Sequence, residues 1–243
     1  MLLQHFFRFQ QSDAPVVFDT ILHLGSLVAV LVVFRADLLA IGRDVVTASR
    51  ENGLRQGWRQ RPHLRLLVWM ALATLPAVIV GVAWKETIEA AFTSVFVVGV
   101  AWLVTAALLL ISHFFRQGKT GVEKLGAGQA LLVGVFQAVA IVPGLSRSGA
   151  TIVGGMIGGL DRETAARFSF LIAIPAIVGA GLLELLDAPP LPAGFAPAAL
   201  LGFAASVVVG YLALRLLLRF VRQGRLHWFG FYCMLVGIIA IVL

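Results

Sequence analysis

Charge is scarce in this chain, and acidic charge is scarcest. Only 13% of its 243 residues are charged, with 12 acidic residues against 19 lysines and arginines. Soluble proteins average about 25% charged residues. That shortage excludes a soluble globular class. There is one cysteine, Cys233, in an apolar stretch, which excludes an internal disulfide and a cysteine metal cluster. A signal peptide is not expected either, because Met1 to Pro15 is too polar and too short.

What the chain has instead is apolar sequence, 60% of the total. It reads as a polytopic membrane protein, with one domain over residues 1–243 as the simplest division. The net charge of +7 would suggest nucleic acid in a soluble protein. Here the basic residues fall between apolar runs, so membrane orientation explains them and no nucleic-acid partner is expected.

A span takes about 20 apolar residues. Six segments qualify, at roughly 16–34, 64–84, 90–115, 164–186, 196–218 and 226–243. Between the third and fourth lies 126–160, apolar but broken at Pro143-Gly144 and again around Gly149. Each half is too short to cross. The segment reads as a re-entrant helix–loop–helix hairpin; the competing reading is one kinked span with a conventional loop. The expected fold is therefore all-α and integral to the membrane, with six transmembrane helices and one re-entrant hairpin, the other half of an inverted-repeat pair of hairpins being missing at the N-terminus.

Loop charge tests that expectation. Residues 35–65 carry seven arginines against Asp37, Asp44 and Glu51. Residues 116–124 carry Arg116, Lys119 and Lys124 against Glu123, and 219–227 carry Arg219, Arg222 and Arg225 with no acid. These three segments should be cytoplasmic. The connections at Lys85-Glu86-Glu89 and from Asp187 to Pro197 lack a basic excess and should face outside. Six spans satisfy this pattern only if 126–160 enters and leaves on the same, cytoplasmic side.

At the hairpin's break the chain reads Pro143-Gly144-Leu145-Ser146-Arg147-Ser148-Gly149-Ala150-Thr151. A cation at membrane depth costs roughly 3 kcal/mol or more at a helix centre and by default marks function. Arg147 can grip two phosphate oxygens with its fork and stays charged at any relevant pH. Its bland reading is a structural arginine on helix-end carbonyls. Ser146, Ser148 and Thr151 can donate to phosphate or cap a helix, and a helix starting near Gly149 would add a favourable N-terminus. Gln137, ten residues before Arg147, faces either the site or a neighbouring helix. The Gly154, Gly155, Gly158 and Gly159 cluster suits close helix packing. Asp19 and His23 are four apart and share a helix face, as an acid/base pair or simply as each other's partner. His113, Glu184 and Arg215 sit near span ends, where snorkelling accounts for them.

These residues resemble the second signature of the bacterial undecaprenyl-diphosphate phosphatases, the bacitracin-resistance family. The flanks match too, through Gly134-Val135-Phe136-Gln137 before the signature, then Arg162, Ala166 to Leu171 and Ile174-Pro175 after it. Phe18-Asp19 and His23-Leu24-Gly25 look like the family's first full span. The resemblance implies a hydrolase that converts undecaprenyl diphosphate to the monophosphate at the outer face of the bacterial cytoplasmic (inner) membrane. Such an enzyme recycles the lipid carrier of peptidoglycan and cell-wall synthesis and gives bacitracin resistance. It also implies a divalent cation, Mg²⁺ or Ca²⁺, with the metal ligands not identified in this sequence. The catalytic role carries to Arg147 and Ser146. Substrate binding is expected of Ser148, Gly149, Thr151 and Gln137, and acid/base work of His23 and Asp19. The expected partners are a polyprenyl diphosphate lipid, the bilayer and, as an open assembly, a second copy in a homodimer.

The family's first signature, a hairpin with two glutamates four apart and a Ser-Ser-x-x-His tip, has no match in the sequence as given. The chain starts at Met1-Leu2-Leu3, just after where that tip would fall. Two readings stand, a start assigned too late and a true truncation. Rival functions are a lipid or anion transporter or flippase, and an inactive homologue.

Overall fold

A computed structural model describes residues 15–50, 61–115, 117–186 and 195–242. The expected join to a first signature, Arg55 and Arg59, Arg116, and the acidic, proline-rich connection at 187–194 lie outside the described residues. Every regular element described is helical, in agreement with an all-α membrane protein. In chain order the helices are α1 (Pro15–Val33), α2 (Arg35–Arg50), α3 (Pro62–Ala83), α4 (Lys85–Phe92), α5 (Val95–Ile111), α6 (Ala127–Val139), α7 (Arg147–Ile157), α8 (Arg162–Leu186), α9 (Phe195–Arg222) and α10 (His227–Val242). Among the described residues three stretches are each long and apolar enough to cross a bilayer, namely α3, α5 with its extension to Phe114, and α9. The helices α1, α8 and α10 fall on the other three expected spans.

The chain divides into two compact units. One holds residues up to Arg35 and Ala173–Leu217. Its core is Leu27 on α1 against Ala173 and Ile177 on α8, with Leu24, Leu31 and Ile174 around them. Helices α1 and α9 meet through small residues, as helices without a hydrophobic driving force between them must. The Ser26 and Ser206 hydroxyls are 3.1 Å apart, and Ser206 donates to the Leu22 carbonyl at 2.6 Å.

The other unit holds Ala36–Ile172 and Leu218–Leu243. Residues 35–65, expected only as a basic loop, begin here as helix α2. That helix is anchored by the Arg167 guanidinium on Asp37 at 2.6 Å and by His63 against Asp44 at 3.3 Å. Helix α3 packs on α6 so closely that a Cβ at Gly134 would stand 2.5 Å from the Ala73 carbonyl oxygen.

Helices α6 and α7 form an antiparallel pair. A Cβ at Gly154 would meet the Phe136 ring at 2.7 Å, and one at Gly158, four residues on, would meet Gln129 and Leu132, earlier on α6. Gly154, Gly155 and Gly158 thus serve packing, as expected, whereas Gly159, at φ +83° with nothing within 4 Å of a Cβ, serves the turn instead. The pair's two ends are also tied together. Thr120 N–H donates to the Gly159 carbonyl at 3.3 Å, and Asp161 N–H donates to the Thr120 carbonyl at 3.1 Å. The arms are 13 and 11 residues long, about 20 and 16 Å at helical rise. Neither matches a hydrocarbon core of about 30 Å.

Candidate active site

The turn between α6 and α7 is built against the middle of α5. Gly144 sits at φ +91°, a left-handed conformation that L side chains rarely adopt, and it lies against Val98 and Trp102. Two residues on, the Ser146 N–H donates to the Thr105 hydroxyl at 3.0 Å. Thr105, buried, donates in turn to the Ala101 carbonyl at 3.0 Å. Gly149 then lies beside Leu109. The signature loop therefore tracks the central turns of a helix that is long and apolar enough to span.

Helix α7 starts at Arg147, two residues earlier than the glycine alone suggests, because Ser146 is its N-cap. The Ser146 Oγ accepts the Gly149 N–H at 3.1 Å, and the Ser146 carbonyl accepts the Ala150 N–H at 2.8 Å. That leaves the N–H groups of Arg147 and Ser148 as the first free donors of the helix. Because Ser146 Oγ acts as an acceptor in the cap, its own proton remains free to donate elsewhere.

Arg147 is half-buried. Among the described residues no carboxylate or carbonyl bonds its guanidinium, so the structural alternative, an arginine satisfying helix-end carbonyls, finds no contact there. The charge also sits at the positive end of the α7 dipole, a position that favours anions. Ser148, half-buried on the next position, has a hydroxyl with no bond among the described residues. Thr151 is different. It is fully buried, donates to the Arg147 carbonyl at 2.7 Å and shares a hydrogen bond with Ser169. Its hydroxyl locks the first turn of α7 onto α8.

Gln137 is 1% exposed, and neither its amide nitrogen nor its amide oxygen has a partner among the described residues. An unpaired buried polar group costs about 1–3 kcal/mol. Gln137→Leu is therefore expected to raise thermal stability while lowering turnover, if the amide serves substrate. Denaturation in detergent measured beside phosphate release checks both signs.

Asp19 and His23 belong to the other unit and are both exposed. His23 Nδ1 lies 2.8 Å from the Asp19 backbone carbonyl rather than from its carboxylate, so the side chains do not form the expected pair. Among the described residues no three of His, Cys, Asp and Glu gather as a cation site. A hard divalent ion needs several carboxylate or carbonyl oxygens, and the α6–α7 turn supplies hydroxyls, amides and a guanidinium. These residues do not fit the divalent cation that the resemblance implies. Sequence reasoning missed Thr105 and touched Ser169 only as part of a matching flank, since a lone hydroxyl in an apolar helix carries no signal of its own.

The family model described as bacitracin resistance protein BacA matches residues 1–239. A protein named undecaprenyl-diphosphatase from Desulforapulum autotrophicum is 38% identical, over all of this chain and 88% of its own length. Another of that name from Desulfosudis oleivorans is 41% identical over 98% of this chain and 87% of its own. A third, from Methanosphaera stadtmanae, is 38% identical over 95% and 85%. With the signature turn held at the middle of a spanning helix and the match running nearly end to end, the chain belongs to the bacitracin resistance protein BacA family.

Proposed function

We propose that this chain hydrolyses undecaprenyl diphosphate to undecaprenyl phosphate and phosphate, recycling the carrier lipid for cell-wall synthesis and so conferring bacitracin resistance. The observation that carries the reading is the half-buried Arg147 guanidinium, free of any anion among the described residues, beside the open N–H groups of Arg147 and Ser148. Two diphosphate oxygens fit its fork. The two amides and the Ser148 hydroxyl donate to further oxygens, and the α7 dipole adds to the attraction. The Ser146 proton is free to bond a phosphoryl oxygen. Water attacks the terminal phosphorus, the bond to the bridging oxygen breaks, and undecaprenyl phosphate leaves with the electron pair. The turn holds no base to take the water's proton, and that role falls to an acidic or imidazole group outside it.

Purified protein in detergent should release phosphate from undecaprenyl diphosphate with no second compartment. A transporter of the same lipid would release none, and that result would overturn the assignment.

We further infer that α6 and α7 re-enter the cytoplasmic face of the inner membrane and that the site opens to the periplasmic side. The tied ends at Thr120 and Gly159, and the basic excess of residues 116–124, support this. In a Cys233→Ser background, cysteines at Lys119 and Glu163 should both react with an impermeant thiol reagent only from the cytoplasm, and one at Glu89 only from outside. Labelling of positions 119 and 163 from opposite faces would sink the hairpin.

A further inference from the structure

Helices α5 and α10 pack antiparallel in a tight register. A Cβ at Gly99 would meet Ile241 at 2.7 Å, one at Gly237 would meet Leu103 at 2.9 Å, and one at Gly230 would meet Leu110 at 2.9 Å. Continuing the same pairing one turn further brings His113, in the 3-10 turn Ser112–Phe114 that extends α5, opposite His227, the first residue of α10. The two rings do meet there. Nδ1 of one lies 3.2 Å from Nδ1 of the other, with ring centroids 4.3 Å apart. Backbone packing, rather than the wandering of two exposed side chains, sets that separation. Phe114 stands edge-on to His113, and Trp228 flanks His227.

We propose that His113 and His227 form a two-histidine binding site for a divalent transition-metal ion of the zinc or copper class, separate from the phosphatase site. Zinc binds imidazole nitrogen at about 2.0–2.1 Å, so two nitrogens on one tetrahedral ion stand about 3.3 Å apart. The two Nδ1 atoms already hold that spacing. As neutral rings they share one proton, one donating and the other accepting. With an ion bound, both rings carry their proton on Nε2 and present both Nδ1 lone pairs to the metal. His113 is exposed, so water can complete the coordination shell. Imidazole donors favour zinc, copper and nickel over magnesium and calcium, so the site selects against the hard cations that carboxylates hold. The other described histidines are engaged elsewhere, His63 with Asp44 and His23 with the Asp19 carbonyl. An ion here would fasten the end of α5 to the start of α10.

The test uses tag-free protein in detergent, titrated with Zn²⁺ alone and with Cu²⁺ alone. Zn²⁺ should bind one site without competition from excess Mg²⁺, and Cu²⁺ should bind more tightly. His113→Gln and His227→Gln should each weaken binding about tenfold or more, and the double variant should lose the site. Each variant is checked by helicity and size-exclusion profile. The paramagnetic resonance spectrum of the Cu²⁺-loaded parent should show two imidazole nitrogens, which decides the matter even if a variant fails to fold. Unchanged Zn²⁺ affinity in either folded variant, or fewer than two nitrogens on copper, would overturn the proposal.

Discussion

Arg147→Ala should lower phosphate release about a thousandfold or more while leaving the fold as stable as before, or slightly more so. The loss follows from the chemistry of a migrating phosphoryl group, where a single well-placed arginine typically supplies about 10³–10⁵ in rate. The stability outcome follows from position. Arg147 is the first residue of α7, where the helix dipole is positive. Its guanidinium bonds no acceptor among the described residues, so removing it breaks no such contact and relieves an unfavourable charge–dipole term of about 0.3–1 kcal/mol. A structural arginine would behave in the opposite way, with stability falling alongside activity. Arg147→Lys should fail nearly as badly, because a point charge lacks the planar fork. Turnover on undecaprenyl diphosphate and thermal unfolding of the same preparations separate the cases. Near-parental turnover in Arg147→Lys would remove Arg147 from the catalytic role.

Gly144→Ala should be a severely damaging small change in the second unit. At φ +91° an added methyl is strained whatever the space, and here there is none. The Cβ would stand 2.5 Å from the Val98 carbonyl oxygen, a backbone atom fixed within α5. Strain and clash together should cost about 3 kcal/mol or more. At 2–4 °C per kcal/mol, that is a fall of roughly 10 °C in unfolding temperature. Activity should vanish at temperatures where the variant is still folded, because shifting Gly144 breaks the Thr105–Ser146 bond immediately before Arg147. Gly128→Ala is the control. It lies in α6 with nothing within 4 Å of a new Cβ, and it should be neutral or stabilising by about 0.5–1 kcal/mol. Equal behaviour of the two variants would mean that the turn is not held as described.

The turn was legible in the sequence because its determinants are local. Pro143-Gly144 breaks the helix, and Ser146 caps the next one, both within a few residues of Arg147. The start of α7 at Arg147, close to Gly149, is set just as locally by the capping Ser146. What escaped reading is long-range. Thr105 receives the Ser146 N–H across 41 positions, and inside an apolar helix it looks like any small residue. Helix α2 was hidden by its own arginines, and the pairs that hold it, Asp37 with Arg167 and Asp44 with His63, connect distant stretches of chain. His113 was legible only as a residue near a span end, since its partner lies 114 positions away. The burial of Gln137 likewise depends on neighbours that the local pattern does not name.

The shortness of α6 and α7 bears on how the protein is made. A translocating ribosome delivers the chain in order, and an insertion machinery sorts segments by length and oiliness. Arms of 13 and 11 residues offer it too little to release sideways into lipid. The surfaces that receive them, the Ala73 region of α3 and the Val98-to-Leu109 stripe of α5, are synthesised earlier. Biogenesis would then proceed by docking: α3 and α5 settle first, and α6 and α7 fold onto them as a pair, closed at the base by Thr120 and Asp161. On this account a change on the α3 or α5 surface would show itself as protein degraded at birth, before any defect in catalysis could be seen.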